Sequence, residues 1–564
     1  MRTQRKSKSG RSKPEVLVLE MAELEDIVKR ALSGPISEAD GAKLLSSLGS
    51  LAWLQQELAN KEITLARLRS LFGLSSSEKK RDVLGPANSG DTTTSKPPSD
   101  DDEKPEAKPQ PKPKPKGHGR NAAAAYKGAE HIEVPHASLK PSDPCPACPV
   151  NMQGKVYSMP PRTLVRVVGQ APLFARIYEL QRLRCNLCGK IFTAEPPPGI
   201  GNEKYGATAA SMIALFKYGS GMPFNRLQRL EGGLGVPLPA ATQWKIVHEA
   251  AEQVATVHDE LIRQAAQGRL LHNDDTSMKV LALRKRIEQE QKSGKAKSKR
   301  TGIFLTSIVS ELEDRNRIAL FFTGRNHAGE NLAELLARRA ADLQPPIQMC
   351  DGLDRNQPGQ DFETVLANCL VHGRRKFVEL LGSFPKECRH VIEVLGNVYM
   401  HEAATKEQGM SDEERLRYHQ EHSRPLLDDL KTWMEEQTEQ KLVEPNSSLG
   451  GAIAYMTKRW DRLTLFLSKP GAPLDNNIAE RALKKAILHR RNSLFYKTEN
   501  GAWVGDVFMS LIHTAELARA NPFDYLTALL RHSDAARRNP GQWMPWNYTA
   551  ALADCKPSDS AGPV

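Results

Sequence analysis

Nowhere does the sequence carry the ~18 consecutive apolar residues that a helix needs to cross a bilayer, which excludes a membrane-spanning protein. The basic stretch Met1–Pro14 is followed only by the short apolar patch Val16–Leu19 and then by acidic residues, so the ~7–15-residue core of a secretory signal is missing. A cytoplasmic protein is expected. Cysteine is also scarce, with eight among 564 residues. In a reducing compartment these stay as thiols, and closely spaced ones read as metal ligands before disulfides. Acidic residues are outnumbered, 67 Asp plus Glu against 79 Lys plus Arg, for a net charge of +12. That balance points, weakly, to a polyanionic partner. The length suggests about three to five domains.

Residues 76–127 lack large apolar side chains almost entirely and include an alternation of Pro and Lys over Pro109–Lys116, which reads as a disordered Pro/Lys-rich linker. Before it, in 1–75, Leu44, Leu51, Leu58, Leu65 and Phe72 recur every seven residues with Leu54 and Leu68 three positions on, an a/d seam for paired helices. An amphipathic helix packed on its own domain would need a nearby core, and the linker supplies none. Self-association through an N-terminal coiled coil is the expectation.

Residues 128–200 look compact and cysteine-bearing. In 201–265 apolar residues fall at helical spacing in three pieces: Met212, Leu215 and Phe216; Leu227 and Leu230; then Trp244, Ile246 and Val247. The turn Glu231-Gly-Gly-Leu-Gly235 is similar to the break in a helix-turn-helix unit, although such triplets are common in proteins that never touch DNA. From 266 to 371 the pattern becomes α/β, with strands at Leu270–Asp274, Ile303–Val309, Ile318–Phe322 and Ile347–Asp351 and a helix over Gly329–Ala341. Arg284–Arg300, with ten charged residues, is expected as an exposed hairpin tip. Residues 372–470 read helical, the helical pattern continues over 471–535, and 536–564 is expected as a C-terminal tail.

Cys145-Pro-Ala-Cys148 and Cys185-Asn-Leu-Cys188 are two matched hooks separated by 36 residues. Each can bring two thiolates to one tetrahedral Zn²⁺ at about 2.3 Å, and four thiolates leave no open position for substrate. A structural zinc ribbon-like module follows, with strands expected at Thr163–Val168 and Leu173–Leu180. Cys350, Cys369, Cys388 and Cys555 have no such spacing and read as buried or incidental thiols.

Three acidic residues sit where secondary structure would aim them at one place. Asp274 ends the strand Leu270–Asp274 on the face of Leu270 and His272, and Asp351 ends Ile347–Asp351 on the face of Ile347 and Met349. Gly352 follows, so the backbone can turn tightly beside a ligand. Glu480 lies in Asp475-Asn-Asn-Ile-Ala-Glu480-Arg-Ala, where Asp475 or Asn476 caps a helix with the stripe Ala479, Leu483, Ala486 and Ile487. Glu480 on the edge of that stripe points toward the sheet, where an unpaired carboxylate is costly unless it binds a cation. Such a hard oxygen set suits Mg²⁺ or Mn²⁺, and two ions about 4 Å apart can activate a nucleophile and stabilise a leaving oxygen in phosphoryl transfer. Taken singly, each carboxylate is explained better by a helix cap or a surface ion pair, and sequence spacing alone does not overturn that.

These residues resemble the IS sixty-six family of DDE transposases, the TnpC-type proteins of bacterial insertion sequences. Leu68-Arg-Ser-Leu-Phe72-Gly is similar to the segment after that family's zipper-like helix, and the cysteine hooks to its zinc-binding domain. His272-Asn-Asp-Asp275-Thr276 and Cys350-Asp351-Gly352 resemble its first two catalytic motifs, and Asn368-Cys-Leu-Val-His372-Gly-Arg-Arg-Lys-Phe377 its Cys-Trp-Ala-His-Ala-Arg-Arg-Lys-Phe segment. Asp475-Asn-Asn-Ile-Ala-Glu480-Arg-Ala, continuing to Arg490-Arg-Asn-Ser-Leu-Phe495, resembles the block that carries its catalytic glutamate, and Met544-Pro-Trp-Asn547 its ending. Two departures stand out: Asp274-Asp275-Thr276 replaces the usual Asp-Glu-Thr, and Gly-Leu-Asp-Arg after Asp351 replaces an aromatic-containing run. Strand alternation and the motif both favour Asp274 as the ligand.

The resemblance implies a multidomain α+β protein. Its RNase H-like catalytic domain would be built from 266–371 and 471–535 around a helical insertion, 372–470. It further implies catalytic Asp274, Asp351 and Glu480 holding Mg²⁺ or Mn²⁺, and cleavage and joining of double-stranded DNA at element ends and target. Partners would be a second copy of the chain and accessory proteins of the same element; bound to DNA, the protein would sit in the nucleoid. Arg374, Arg375, Lys376, Arg481, Lys484, Arg490 and Arg491 are placed to hold phosphates, although a solvated helix face explains them about as well. His372 reads as a structural hydrogen-bonding residue. The alternatives are a catalytically inactive DNA-binding descendant of such an enzyme and a nuclease that cuts without joining.

Overall fold

The computed structural model describes residues 26–27, 29–30, 34–35, 37, 39–44, 134–147, 155–160, 171–184, 186, 191–197, 203–293 and 300–555. The heptad seam beyond Leu44, the linker 76–127 and the hook residues Cys148, Cys185 and Cys188 lie outside them. No helix among the described residues is long and apolar enough to cross a membrane.

The chain divides into two compact units, Ser89–Phe174 and Met1–Asn88 with Ala175–Val564. In the first, Pro144 pairs with Lys155 in an antiparallel bridge beside Cys145. In the second, strands β1 (Arg182–Arg184) and β2 (Ile191–Thr193) pair antiparallel on either side of the second hook. The strand expected at Leu173–Leu180 is absent; those residues are described and irregular, and the pairing starts at Arg182 instead.

The rest of the larger unit is built on five strands: β3 (Leu270–Ser277), β4 (Phe304–Glu311), β5 (Arg317–Gly324), β6 (Ile347–Cys350) and β7 (Val365–Asn368). Their order is β5-β4-β3-β6-β7, with β3, β4 and β5 an antiparallel meander and β6 and β7 parallel to β3. The β-branched and aromatic run of β4 and β5 is what a sheet buried on both faces requires: Leu305, Ile308, Ile318 and Phe321 are all buried.

Helix α1 (Ala207–Ala214) runs into a π turn at Leu215–Gly219 and is followed by α2 (Phe224–Gly233) and the 26-residue α3 (Ala240–Ala265). The α2–α3 turn needs the left-handed Gly235 (φ +84°), and Gln243 Nε2 closes it by donating to Phe224 O at 3.0 Å and Leu238 O at 2.8 Å. One face of α3, including Val247, Val254, Val257 and Leu261, is buried. That face packs on β4, β5 and a later helix, so α3 is continuous with the α/β body.

Between β3 and β4 the expected hairpin tip is instead a helix, α4 (Leu281–Lys292). Leu283 and Ile287, four apart, are buried, and the pairs Arg284–Glu288 (3.1 Å) and Arg286–Glu290 (3.8 Å) line its outer side at the same spacing. The charges that suggested a loop are therefore the solvated face of an amphipathic helix. Helix α5 (Ala328–Leu336) crosses from β5 to β6.

After β7 come α6 (Leu370–Leu380), α7 (Pro385–Glu407), α8 (Asp412–His422), α9 (Arg424–Glu439), α10 (Ser448–Thr457) and α11 (Trp460–Leu463). Their core, Phe377, Val391, Leu395, Leu427, Met434, Ile453 and Met456 among others, is continuous with Leu270, Ile347, Met349 and Ala367 of the sheet. The helical segment leaves and rejoins the body at one point, where Leu370 N donates to Leu474 O at 3.0 Å.

Helices α12 (Asn477–Ser493), α13 (Glu499–Leu517), α14 (Pro522–Arg531), α15 (Ser533–Arg538) and α16 (Tyr548–Asp554) complete the described residues. Helix α13 closes the open edge of β5. Thr514 Oγ1, Ser510 Oγ and Asp506 Oδ2 accept from Ala319 N (3.1 Å), Phe321 N (3.1 Å) and Thr323 N (2.8 Å). Four residues of helix rise about as far as two residues of strand, ~6 Å against ~6.6 Å, so the two ladders match. An edge that would otherwise template another strand is thereby used up. Residues 536–555, expected as a tail, are packed: Trp543 and Met544 are buried, and Tyr525 Oη donates to Trp543 O at 2.9 Å.

Candidate active site

Asp274, expected to end its strand, is instead the fifth of the eight residues of β3, opposite Ser307 of β4, because the pairing with β4 continues to Ser277. On its other side the parallel register pairs Leu270 with Ile347 and His272 with Met349. The pairing ends there; Asp351, two residues on and just after β6, stands close enough for its charge to act on Asp274. Two carboxylates so placed resist double ionisation. Burial first, then the charge of Asp351, push the Asp274 acid up to about 7; Asp275 and Glu480 add to the rise, and the Asp275 N–H opposes it. That N–H donates to Asp274 Oδ1 at 2.8 Å.

Asp351 is held from its own loop, where Oδ1 accepts from Leu353 N at 3.1 Å and from Asn356 Nδ2. Asn356 is itself fixed, its carbonyl accepting from Asn273 Nδ2 at 2.8 Å and Gln348 Nε2 at 2.7 Å. Gly352 is there for close approach: a Cβ would stand 2.6 Å from Arg459 Nε and 2.8 Å from Tyr455 Oη. In its absence Arg459 Nη2 donates to Gly352 O at 3.1 Å.

Glu480 is in the first turn of α12, where the helix dipole favours a negative charge. Ala479, Leu483 and Ala486 are buried as expected, and Asp475 accepts from Asn477 N (3.1 Å) and Nδ2 (2.7 Å) to start the helix. Asn476 turns inward to β3, with Oδ1 3.0 Å from His272 Nδ1 and Nδ2 donating to Asn273 O at 3.1 Å. This joint fixes the start of α12 on the strand that carries Asp274. Glu480 Oε1 is buried without a hydrogen-bond partner, 3.9 Å from His372 Nε2.

Among the described residues, Cys369, His372 and Glu480 each bring one ligand atom within 4.8 Å of the others. Burial pushes the Cys369 thiol up to about 12, and its sulfur accepts from Asn476 N at 3.3 Å. The trio Asp274, Asp351 and Glu480 does not meet the same test, so at least one pair of its oxygens stands further apart. His372, read from the sequence as structural, lines a cavity of about 220 Å³ with Asp351, Arg375, Lys376, Glu379 and Tyr455. Only the fold brings it there. A larger depression of about 420 Å³, lined by Glu414, Arg417 and Tyr418 among others, shares no residue with the carboxylates.

Asp275 is aimed elsewhere, at His327 Nδ1 (2.8 Å), Ala328 N (3.4 Å) and Arg355 (3.6 Å). It anchors the start of α5. Among the basic residues, Arg375 and Lys376 face the cavity, Lys376 with Nζ 4.5 Å over the Tyr455 ring. Arg374 is buried, its charge felt by Tyr399. Arg481, Lys484 and Arg491 are exposed. Arg490 Nη1 donates to Thr276 Oγ1 at 3.2 Å and Ser277 Oγ at 3.0 Å, just beyond Asp274 on β3. The hook cysteines other than Cys145 fall outside the described residues.

The donor set fits a divalent cation: hard oxygens, an acid raised by burial and by neighbouring negative charge, and a buried carboxylate oxygen with no hydrogen-bond partner.

Comparison with known proteins gives a consistent picture. The uncharacterized protein y4hP of Sinorhizobium fredii (strain NBRC 101917 / NGR234) is 25% identical over 442 residues, covering 75% of this chain and 77% of that one. The uncharacterized protein y4jD of the same strain is 25% identical over 455 residues, covering 77% and 84%. No solved structure matches. The profile described as Transposase IS66 family matches residues 203–503, from α1 through the start of α13 and across all three carboxylates. The chain belongs to the IS66 family of transposases.

Proposed function

We propose that the protein is a DNA transposase that cleaves and joins phosphodiester strands at a site formed by Asp274, Asp351 and Glu480. What supports this reading is that the charges of Asp351 and Glu480 both act on the buried Asp274, and that Glu480, at the start of α12, has a buried oxygen with no hydrogen-bond partner. The domain is RNase H-like in this account. A three-stranded meander continued by two parallel strands supports it, with the helical segment α6–α11 inserted ahead of the glutamate helix.

Asp274, Asp351 and Glu480 would hold Mg²⁺ or Mn²⁺, and the incomplete closeness of the trio suits two ions better than one. Such ions supply charge that activates a water or a 3′-hydroxyl and stabilises the departing oxygen. The chain's own groups do the placing. Asn356 and the Leu353 N–H fix Asp351, and the Asp275 N–H fixes Asp274. Arg375 and Lys376, in the cavity beside Asp351, meet phosphate oxygens of the strand being cut. Cys145, Cys148, Cys185 and Cys188 hold a structural Zn²⁺, and the 1–75 helix brings two copies together on two DNA ends.

The test is strand cleavage and joining with Mg²⁺ on DNA carrying the element's own ends, comparing wild type with Glu480→Gln. The swap keeps the shape and removes the charge. Nicked and joined products from wild type alone, with both proteins binding the DNA, support the reading; equal activity in the two sinks it.

A further inference from the structure

Beyond the carboxylates, the C-terminal end of α12 presents a feature that catalysis does not use. Leu494 and Phe495 are 62% and 42% exposed, and Leu281 beside them is 42% exposed. They cluster because two segments run side by side there. Tyr496 N donates to Lys279 O at 2.9 Å, Leu281 N to Tyr496 O at 2.9 Å, and Ala282 N to Lys497 O at 3.1 Å. The base of the projection is rigid: Tyr496 is buried and stacks on His489 with ring centroids 5.0 Å apart. Its tip is strained, since Leu494 closes α12 at φ +67°, a conformation that a branched side chain rarely adopts and glycine would take freely.

The surroundings select the partner. Lys279, Arg491 and Lys497 are exposed around the tip. The acids nearby are already paired, Glu288 with Arg284 at 3.1 Å and Glu499 with Arg286 at 2.8 Å. Exposed apolar side chains ringed by cations, on a rigid base, match what proteins push between base steps while cations hold the flanking phosphates.

We propose that Leu494 and Phe495 form a wedge that enters duplex DNA and unstacks one base step, an inference that rests on the DNA-cleaving reading above. The fold also sets where. Along α12, Leu494 lies fourteen residues beyond Glu480, about 21 Å at 1.5 Å per residue. Along the β3 direction, Val280 lies six residues beyond Asp274, about 20 Å. Both routes put the wedge roughly 20 Å from the carboxylates, about six base pairs of B-form DNA at ~3.4 Å each. Unstacking there would bend the duplex and leave the cut strand free to settle against the site.

The test uses two 40-base-pair duplexes, one fully paired and one with a central T·T mismatch, and the full chain as wild type and as the double variant Leu494→Gly, Phe495→Ala. Both positions are exposed and glycine accepts φ +67°, so the variant folds; an unchanged melting temperature verifies it. A mismatch lowers the cost of unstacking, so wild type binds it about tenfold tighter than the paired duplex. The double variant loses that preference, and the slope of its affinity against salt stays the same because the phosphate contacts remain. 2-Aminopurine beside the mismatch brightens with wild type and not with the variant. Equal preference in the two proteins, or none in wild type, overturns the wedge while leaving DNA binding standing. Failure of both proteins to bind either duplex overturns the wedge together with the DNA-cleaving reading.

Discussion

Asp274→Asn is expected to stabilise the metal-free protein and abolish its function. The Asp274 acid moves from an ordinary 3.8 to about 7 on folding. Between these values the folded state binds a proton that the unfolded state has released, so stability falls as pH rises from about 4 to about 7 and is flat above. The shift of about three units corresponds to about 4 kcal/mol. Asparagine mimics the protonated acid and keeps the oxygen that accepts from Asp275 N, so above pH 7 the variant recovers most of this energy. At roughly 2–4 °C per kcal/mol for a domain of this size, its melting temperature in EDTA at pH 8.5 should exceed wild type by about 10 °C. At pH 4 the two should coincide. Millimolar Mg²⁺ should narrow the gap at pH 8.5 by stabilising wild type more than the variant. Thermal unfolding followed by circular dichroism at the two pH values, with and without Mg²⁺, measures all of this. A variant no more stable than wild type at pH 8.5 in EDTA would refute the argument that burial and neighbouring carboxylates strain this site.

Two further outcomes follow from other parts of the chain. Asp506→Ala orphans the Thr323 N–H and hydroxyl, which lie 2.8 and 2.7 Å from the carboxyl; urea unfolding should show a loss of about 2–4 kcal/mol, with Asp506→Asn costing much less because an acceptor remains. Equal losses would mean that the edge of β5 is not closed by these bonds. Cys185→Ser should lower zinc content, measured by atomic absorption, without changing the stability of the α/β body; unchanged zinc would contradict the four-cysteine assignment.

Much of the α/β body was legible because its signals are local. Four strands announce themselves as short runs of β-forming residues and the glutamate helix by its apolar stripe; Asp351 and Glu480 stand at element ends, whereas Asp274 lies three residues inside β3. What the sequence hid are relations between distant segments. His372 gained its place only when α6 and α12 converged, 3.9 Å from Glu480. Strand β7, four residues long like β6, is recognised only through its parallel pairing with that strand. Helix α4 was masked by its charges, although Leu283 and Ile287 four residues apart carried its signal. The polar triplet Asp506, Ser510 and Thr514 at four-residue spacing within a buried helix also had a meaning, and it needed the β5 edge beside it to be read. Arg374 looks like its neighbours in sequence, yet it is one helical step from Arg375 and falls on the buried side.

The central claim is that Asp274, Asp351 and Glu480 together hold the divalent ions. Its most direct measurement is Mn²⁺ binding to the purified full chain by electron paramagnetic resonance, for wild type and for Asp274→Asn, Asp351→Asn and Glu480→Gln. Wild type should take up Mn²⁺ at micromolar to millimolar concentrations, and each single variant should weaken that uptake at least tenfold. Uptake unchanged in any one of the three would remove that residue from the site, and unchanged uptake in all three would contradict the account.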